Sequence, residues 1–202
     1  LEKFQQKEHD CITGKVSQIE QGRGTVTIVY EGSELYLFRN EQIPGEVLTE
    51  GKDVKVYITG ILKKKKKPIV KISRTAKELV KRLFETEVPE IYDGTVEIKS
   101  ISREAGSRTK MAVWSNDADV DAIGACIGPK RSRITAVVNE LNGEKIDIIP
   151  WSENPGEFIA RALAPAEVIK AVITSLEEKT CTVVVPNNQL SLAIGNKGQN
   201  AK

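Results

Sequence analysis

The sequence contains little of the chemistry on which metal sites and nucleophilic active sites depend. Its three cysteines, Cys11, Cys126 and Cys181, lie far apart without a Cys-x-x-Cys pair, and His9 is the one histidine. This pattern provides neither a disulfide framework nor a zinc site, because a structural zinc ion needs about four clustered ligands. A single histidine near the amino terminus also excludes a Ser–His or Cys–His catalytic pair. We therefore expect a protein that is not an enzyme and holds no metal or cofactor.

Long apolar runs are absent as well. No stretch approaches the ~20 apolar residues that a membrane-spanning helix needs, and the first ten residues, LEKFQQKEHD, lack the apolar centre of a secretion signal. The 30 basic and 28 acidic side chains leave a net charge of +2, which by itself favours no partner. With 40% hydrophobic and 29% charged residues, the composition is that of a globular protein. Together with the isolated cysteines, it predicts a cytoplasmic protein without membrane contact.

Residues 10–75 have the pattern of a small β-protein. Five short runs of alternating apolar and polar residues are separated by turn-forming residues, as at 22–24 and 44–45. Five short strands with an irregular third connection predict a small closed barrel of the OB type. Residues 1–9 are expected to be the end of a helical linker.

The remaining sequence changes to a mixed pattern that occurs twice. Residues 76–152 are predicted to form a helix, two strands, a short helix, a longer helix and a closing strand. Residues 153–202 restart this order, and the second copy's loop follows that of the first by 67 residues (195 − 128). The second copy stops before its last helix and strand, so we expect an α+β domain that is incomplete at its carboxyl end within this sequence.

Each copy has a glycine-containing loop between its two predicted helices, IGPKRSR at 127–133 and IGNKGQN at 194–200. Glycine lets a ligand approach the backbone closely, and the amides of such a turn, with the start of the next helix, favour phosphate. A plain helix–turn–helix corner with solvated lysines is the alternative. The candidate contacts in the two loops are Gly128, Pro129, Lys130, Arg131, Arg133, Gly195, Asn196, Lys197 and Gly198, with Ile127 and Ile194 beside them as groove residues for bases.

These loops resemble those of KH domains, in which a GXXG loop clamps about four nucleotides of single-stranded RNA. The element order is similar to the type II KH variant, and the β-rich start, ending in ISRT at 72–75, resembles an S1 domain. An S1 domain followed by two KH domains is the arrangement of the NusA family of bacterial transcription factors. The most specific matching stretches are NEQIPGE at 40–46, VNELNGEKIDIIPW at 138–151, ALAPA at 162–166 and QLSLAIGNKGQNAK at 189–202.

The resemblance implies a monomeric regulator that binds single-stranded nascent RNA and acts with RNA polymerase in pausing, termination and antitermination. It also implies that polymerase is contacted mainly through a region absent from this chain, and that other transcription factors are further partners. Arg131 departs from the family, which usually has glycine there, so a side chain stands where RNA backbone would approach. Two alternatives remain: the S1 and KH portion of an RNA-processing or degradation enzyme, and a scaffold whose KH folds bind protein.

The barrel has its own candidate RNA contacts. Single-strand binders combine basic residues with aromatic rings that stack on bases. Tyr36 and Phe38 alternate with Leu35 and Leu37 and are predicted to lie on the outer face, where Phe38 either stacks on a base or packs between domains. The predicted set in the barrel is Phe38, Arg39, Lys63, Lys64 and Lys65, the lysines belonging to the basic run at 63–67.

Three further aromatic residues are harder to place from the sequence. Tyr57 lies on an apolar strand and is a third candidate for base stacking. Trp114 and Trp151 follow apolar strand runs, which favours core or interface positions over base platforms.

Overall fold

The computed structural model describes residues 2–63 and 68–202, and its first unit is a five-stranded barrel. The strands are β1 (Cys11–Ile19), β2 (Val26–Tyr30), β3 (Ser33–Leu37), β4 (Asp53–Leu62) and β5 (Ile69–Ser73). Neighbouring strands are antiparallel in the order β3–β2–β1–β4–β5, and β3 also lies against β5, which closes the barrel. The OB-type fold predicted from the alternating pattern is confirmed.

The barrel interior is filled by the inward-facing residues of every strand, as the period of two requires. Ile28, Leu37 and Val56 are fully buried there. The short helix α1 (Glu2–Gln5) adds Phe4 to this core, with its ring centroid 6.0 Å from that of Tyr30. The segment predicted to be the end of a linker is thus packed on the barrel, since burying a phenylalanine side chain is worth about 1.5–3 kcal/mol.

The second unit follows the predicted order of helix, two strands, two helices and strand. Its elements are α2 (Lys77–Glu87), α3 (Pro89–Tyr92), β6 (Val96–Glu104), β7 (Arg108–Ser115), α4 (Ala122–Ile127), α5 (Ser132–Glu140) and β8 (Lys145–Pro150). The sheet order is β6–β7–β8, with β7 antiparallel to β6 and parallel to β8. The apolar stripe of α2 is fully buried, and Pro89, which has no amide hydrogen to donate, opens α3 after α2 ends.

The third unit repeats the first part of that order. It contains α6 (Pro155–Ala162), β9 (Lys170–Ser175), β10 (Thr180–Val184) and α7 (Leu190–Ile194), followed by the loop at 195–198. Asn154 caps α6, because its side-chain oxygen accepts a hydrogen bond from the amide of Glu157 at 3.2 Å. β9 and β10 form an antiparallel pair.

The barrel and the second unit share one buried apolar cluster. Ile43 and Tyr57 of the barrel lie in the same cluster as Leu79 and Phe84 of α2. Tyr57 is only 6% exposed, so the prediction that it stacks on RNA bases is wrong. The burial of Tyr57 comes from tertiary packing, because the following domain covers the face of β4 that carries this residue.

A buried arginine joins the same two units. Arg74, fully buried, donates to both carboxylate oxygens of Glu46, at 2.5 Å from Nη2 and 2.8 Å from Nε. Its guanidinium also donates to the carbonyl of Lys55 at 2.6 Å and to the carbonyl of Glu140, in α5, at 2.8 Å. The Glu140 carboxylate lies 3.3 Å from Nη1. Arg74 therefore ties the barrel to the last turn of α5.

Replacing Arg74 by methionine is expected to lower the free energy of unfolding by about 3 kcal/mol, because two carboxylates then lose their buried partner. Urea unfolding followed by tryptophan fluorescence measures the change. The matched control is Lys15→Met, which removes one partner of a pair whose two side chains are both more than half exposed. That control should shift stability by less than ~1 kcal/mol. Equal urea midpoints for the two variants would contradict the role assigned to Arg74.

Candidate nucleic-acid interface

The first candidate loop joins α4 to α5. Asp121 caps α4 by accepting a hydrogen bond from the amide of Ile123 at 3.1 Å. The chain then leaves the helix at Gly128, whose φ of 73° and ψ of 170° suit glycine. Lys130 and Arg131 follow with φ of 51° and 62°, and both are exposed. Two consecutive left-handed residues turn the chain into α5.

The second loop takes the same path after α7. Gly195 has φ 76° and ψ 169°, Lys197 has φ 54°, and Gly198 has φ 76°. The internal repeat thus extends to the backbone angles of both loops. The two loops differ at the fourth position, where the first has Arg131 and the second has Gly198, which adopts a positive φ without steric strain.

The loops also differ in the amide hydrogens that they leave for a ligand. In the second loop, no acceptor among the described residues receives the amides of Asn196 and Lys197, and both residues are exposed. In the first loop, Pro129 has no amide hydrogen to offer. The amide of Lys130 is therefore the one amide of this loop that has no acceptor among the described residues. Unpaired amides beside a lysine form a site for an anionic oxygen.

A groove of about 320 Å³ adjoins the first loop. Ile127, Ile134 and Ile148 form its apolar wall, and Arg131 lies at its edge. Arg161, from α6 of the third unit, lines it too and donates to the carbonyl of Trp151 at 3.0 Å. The position of Arg161 could not be predicted from the sequence, since only the docking of α6 on the sheet brings it to this groove.

A second cleft, of about 630 Å³, adjoins the second loop. Asn196 and Lys197 line it together with Ser107, Arg108 and Lys145 of the second unit. Arg108 forms an ion pair with Asp147 at 2.8 Å. The second loop therefore faces charged residues of the neighbouring unit, Glu104 among them, which no local sequence pattern could indicate. Ile194, the predicted groove residue beside this loop, is exposed.

Arg133 lies beneath the first loop rather than in front of it. Its guanidinium donates to Glu90 at 2.8 Å and to the carbonyl of Ala125 at 2.8 Å. A Cβ atom at Gly128 would lie 2.6 Å from Cγ of Arg133, so the glycine packs directly on this side chain. The expected loop charge at Arg133 is thus balanced by Glu90, and its structural role is to support the turn.

The outer face of the barrel shows the predicted alternation. Leu35 and Leu37 are buried, whereas Tyr36 and Phe38 are 48% and 54% exposed. Arg39 and Lys63 are exposed as well. The predicted contacts Lys64 and Lys65 lie outside the described residues.

Trp114 and Trp151 lie close to each other. Trp114 is 44% exposed, so it does not lie in the core, and the predicted interface position stays a prediction. The two rings meet edge to face with centroids 5.7 Å apart, and the Lys99 ammonium lies 5.0 Å from the centre of the Trp151 ring. Aromatic and cation–π contacts of this kind stabilise a pair that remains partly in water.

Potential metal ligands are scattered over the residues that the structure describes. Within them, no group of three or more His, Cys, Asp or Glu side chains is placed to hold a metal ion. Burial raises the pKa of Cys126 to about 12 and that of Cys11 to about 11, so both thiols stay protonated at neutral pH. Among the described helices, none combines the length and the apolar character that crossing a bilayer requires.

Three protein-family descriptions match consecutive parts of the chain. Residues 5–73 match the S1 RNA binding domain. Residues 74–151 match the NusA-like first KH domain, and residues 155–202 match the NusA-like second KH domain. The two units after the barrel are therefore KH domains.

Curated relatives match almost the whole length of the chain. The chain is 50% identical over 199 residues to the transcription termination/antitermination protein NusA of Bacillus subtilis, covering 98% of this chain and 53% of the relative. Relatives of the same name from Halalkalibacterium halodurans and Thermus thermophilus are 50% and 46% identical over 199 residues, each covering 98% of this chain and 51% of the relative. The chain spans about half the length of these proteins.

Replacing Arg131 by glycine is expected to raise the free energy of unfolding by ~0.5–1 kcal/mol. A left-handed conformation costs a residue with a side chain about 1–2 kcal/mol, which exceeds the entropy that glycine loses on folding. The control is Ala136→Gly inside α5, which should lower stability by ~1 kcal/mol because its backbone is helical. Urea unfolding of both variants tests the prediction, and a loss of stability at position 131 equal to that at 136 would refute it.

Proposed function

This chain belongs to the NusA family of transcription termination/antitermination proteins, and we propose that it is the part of such a factor that binds single-stranded RNA. The proposed RNA is the nascent transcript, bound in the cytoplasm by a monomer that acts with RNA polymerase in pausing, termination and antitermination. Polymerase is proposed to be contacted mainly by a region absent from this chain, and other transcription factors are proposed as further partners.

The observation that carries the proposal is the repeated loop. Two exposed turns of the same backbone path each present unpaired amide hydrogen next to a lysine, Lys130 in one domain and Lys197 in the other. Amide hydrogens and ammonium groups together match the oxygens of a phosphodiester, and the absence of a side chain at Gly198 leaves the backbone open to close approach. The second loop, with two unpaired amides, is proposed as the stronger clamp.

The remaining candidate residues extend the proposed binding surface from these loops. Ile127 and Ile194 provide apolar surface for unstacked bases, and Phe38 with Arg39 and Lys63 provides a third contact on the barrel. Weak contacts made by linked domains add up, because the first contact raises the effective concentration of RNA at the others. An RNA long enough to reach several domains should thus bind more tightly than one that reaches a single loop.

The two alternative functions, an RNA-processing enzyme and a protein-binding scaffold, do not fit the observations equally well. An RNA-processing enzyme typically has one KH domain before S1, whereas here S1 precedes two KH domains, and the family matched is one of transcription factors rather than enzymes. A protein-binding KH fold fits the first domain better than the second, because Pro129 and Arg131 leave its loop with fewer amides and more bulk. RNA titrations of the domains test that alternative.

Lys197→Asp is expected to weaken RNA binding by about tenfold or more, because a charge-assisted contact worth ~1.5–3 kcal/mol is replaced by repulsion. The measurement is a fluorescence-anisotropy titration of a mixed-sequence single-stranded RNA at several salt concentrations. The slope of log affinity against log salt should fall in magnitude by about 1, since one phosphate contact is lost.

The matched control for that substitution is Lys179→Asp. Lys179 is likewise an exposed lysine with positive φ, 53°, but it lies in the turn between β9 and β10, away from the loop. The Lys179→Asp variant undergoes the same change of charge, and its affinity for RNA should be nearly that of the unchanged protein. Equal affinities for the two variants would reject the clamp at the second loop.

Phe38→Ala is expected to weaken RNA binding by several-fold to about 100-fold if the ring stacks on a base, since stacking is worth ~1–3 kcal/mol per base. The salt slope should stay unchanged, because no phosphate contact is removed. The control is Tyr92→Ala, which removes a largely exposed ring from the first KH domain. The same titration measures both variants, and an unaltered affinity after loss of Phe38 would assign that ring to domain packing alone.

A further inference from the structure

We propose that Lys110, in β7 of the first KH domain, is a positioning residue for the loop of the second KH domain, and that it acts through Asn200. Lys110 itself does not touch RNA in this proposal. The inference rests on the proposed function, because it concerns the shape of a loop that is proposed to clamp RNA. It adds that this clamp is completed by a residue from the neighbouring domain.

Asn200 holds the second loop together from beneath. It is 6% exposed, and its side-chain amide donates to the carbonyls of Leu163 at 2.9 Å, Ala193 at 3.2 Å and Leu192 at 3.3 Å. Its backbone amide donates to the carbonyl of Ile194 at 3.0 Å. Asn200 therefore links the end of α6, the end of α7 and the start of the loop.

The first glycine of the loop packs directly on Asn200. A Cβ atom at Gly195 would lie 2.8 Å from the backbone nitrogen of Asn200 and 2.9 Å from its Cβ. Real Cβ atoms do not approach other heavy atoms so closely, so Gly195 and Asn200 must be placed together. A shift of Asn200 would consequently shift the turn that carries the unpaired amides of Asn196 and Lys197.

Lys110 fixes Asn200 in turn. Its ammonium donates to the side-chain oxygen of Asn200 at 2.9 Å, to the backbone oxygen of Asn200 at 2.5 Å and to the carbonyl of Ala162 at 2.5 Å. An ammonium group has three hydrogens, and these three acceptors use all of them. Lys110 thus has no hydrogen left for a phosphate, which separates its role from that of Lys197.

The internal repeat shows why the second loop needs this outside support. The residue equivalent to Asn200 in the first domain is Arg133 (133 + 67), which donates to the carbonyl of Ala125, the equivalent of Leu192 (125 + 67). Arg133 is anchored by Glu90 of its own domain. The first loop is therefore supported from within its own domain.

The second loop has no comparable anchor from an acidic side chain. Among the described residues, no carboxylate of the second KH domain forms a hydrogen bond with Asn200. The second loop is anchored by the first domain instead, through Lys110. A further hydrogen bond between the same two parts, from Gln199 Nε2 to Ser107 Oγ at 2.8 Å, lies next to it.

The test uses the whole chain and the substitution Lys110→Met, which keeps the length of the side chain but removes its three donors. RNA affinity should fall about fivefold to tenfold, with the salt slope unchanged. Amide hydrogen exchange at Gly195 and Gly198, whose amides are hydrogen-bonded, should become at least tenfold faster, whereas exchange at the bonded amides of Gly128 and Arg131 should not change. The second readout needs no RNA, so it reports on the loop even if the proposed function fails.

A double-mutant cycle with Asn200→Ala supplies the specificity control. If Lys110 acts through Asn200, Lys110→Met should have less than twofold further effect on RNA affinity and on loop exchange once Asn200 is alanine. Should Lys110→Met not fold, the Asn200→Ala variant alone still tests the support of the loop by the same exchange measurement. Additive effects of the two changes would overturn the proposed route.

The outcomes separate this inference from the proposed function. A Lys110→Met protein with unchanged affinity and unchanged loop exchange, beside a Lys197→Asp protein that binds weakly, overturns the inference alone. A salt slope reduced by about 1 in Lys110→Met would mean that Lys110 contacts phosphate, which also overturns it. Unchanged RNA binding by both variants, with faster loop exchange in Lys110→Met, supports the positioning role and overturns the RNA clamp.

Discussion

Buried charge at the domain junctions is the constraint on which the rest of this structure depends. Arg74 lies in the interior between the barrel and the first KH domain and must satisfy its donors with Glu46, Lys55 and Glu140. A buried guanidinium without these partners would be strongly unfavourable, and its bonds have fixed directions. Apolar surfaces alone allow two domains to slide over each other, whereas such bonds select one arrangement. The relative positions of barrel and loops follow from that selection.

A second buried charged group, the Glu144 carboxylate, extends this constraint further along the chain. Glu144 is fully buried and accepts from Arg103 at 3.0 Å, from Thr109 at 2.7 Å and from the amide of Gly106 at 2.8 Å. These bonds fix the β6–β7 hairpin against the start of β8. The hairpin carries Ser107, the acceptor of the bond from Gln199 beside the second loop. Buried and partly buried polar contacts thus extend from the β6–β7 hairpin to the second loop.

The sequence predicts what is local and fails where another element decides. The period of two correctly predicts that Leu35 and Leu37 lie inside the barrel and Phe38 on its outer face. The two glycine-containing turns also lie where the two Ile-Gly pairs of the sequence predict them. Tyr57 lies on an equally regular strand, yet α2 covers it, and nothing within β4 contains that information. The sequence predicts that Arg133 is a free cation of the loop. In the structure its charge is paired with Glu90, which lies 43 residues earlier in the chain. The secondary structure and the fold can thus be predicted from the sequence. The exposure of side chains and the balance of charge at the site cannot, because they depend on packing between elements.

The two loops share a backbone path but not a chemistry, and the difference follows from two positions. The first loop has proline where an amide hydrogen would be and Arg131 where the backbone would be bare, so it offers charge in place of amide donors. The second has both amides and Gly198, so it offers close contact and directed hydrogen bonds. Charge attracts a polyanion at a distance and weakens with salt, whereas directed bonds hold at short range. Under the proposed function, the first loop captures RNA and the second holds it, and the proposed anchoring by Lys110 supports the holding contact.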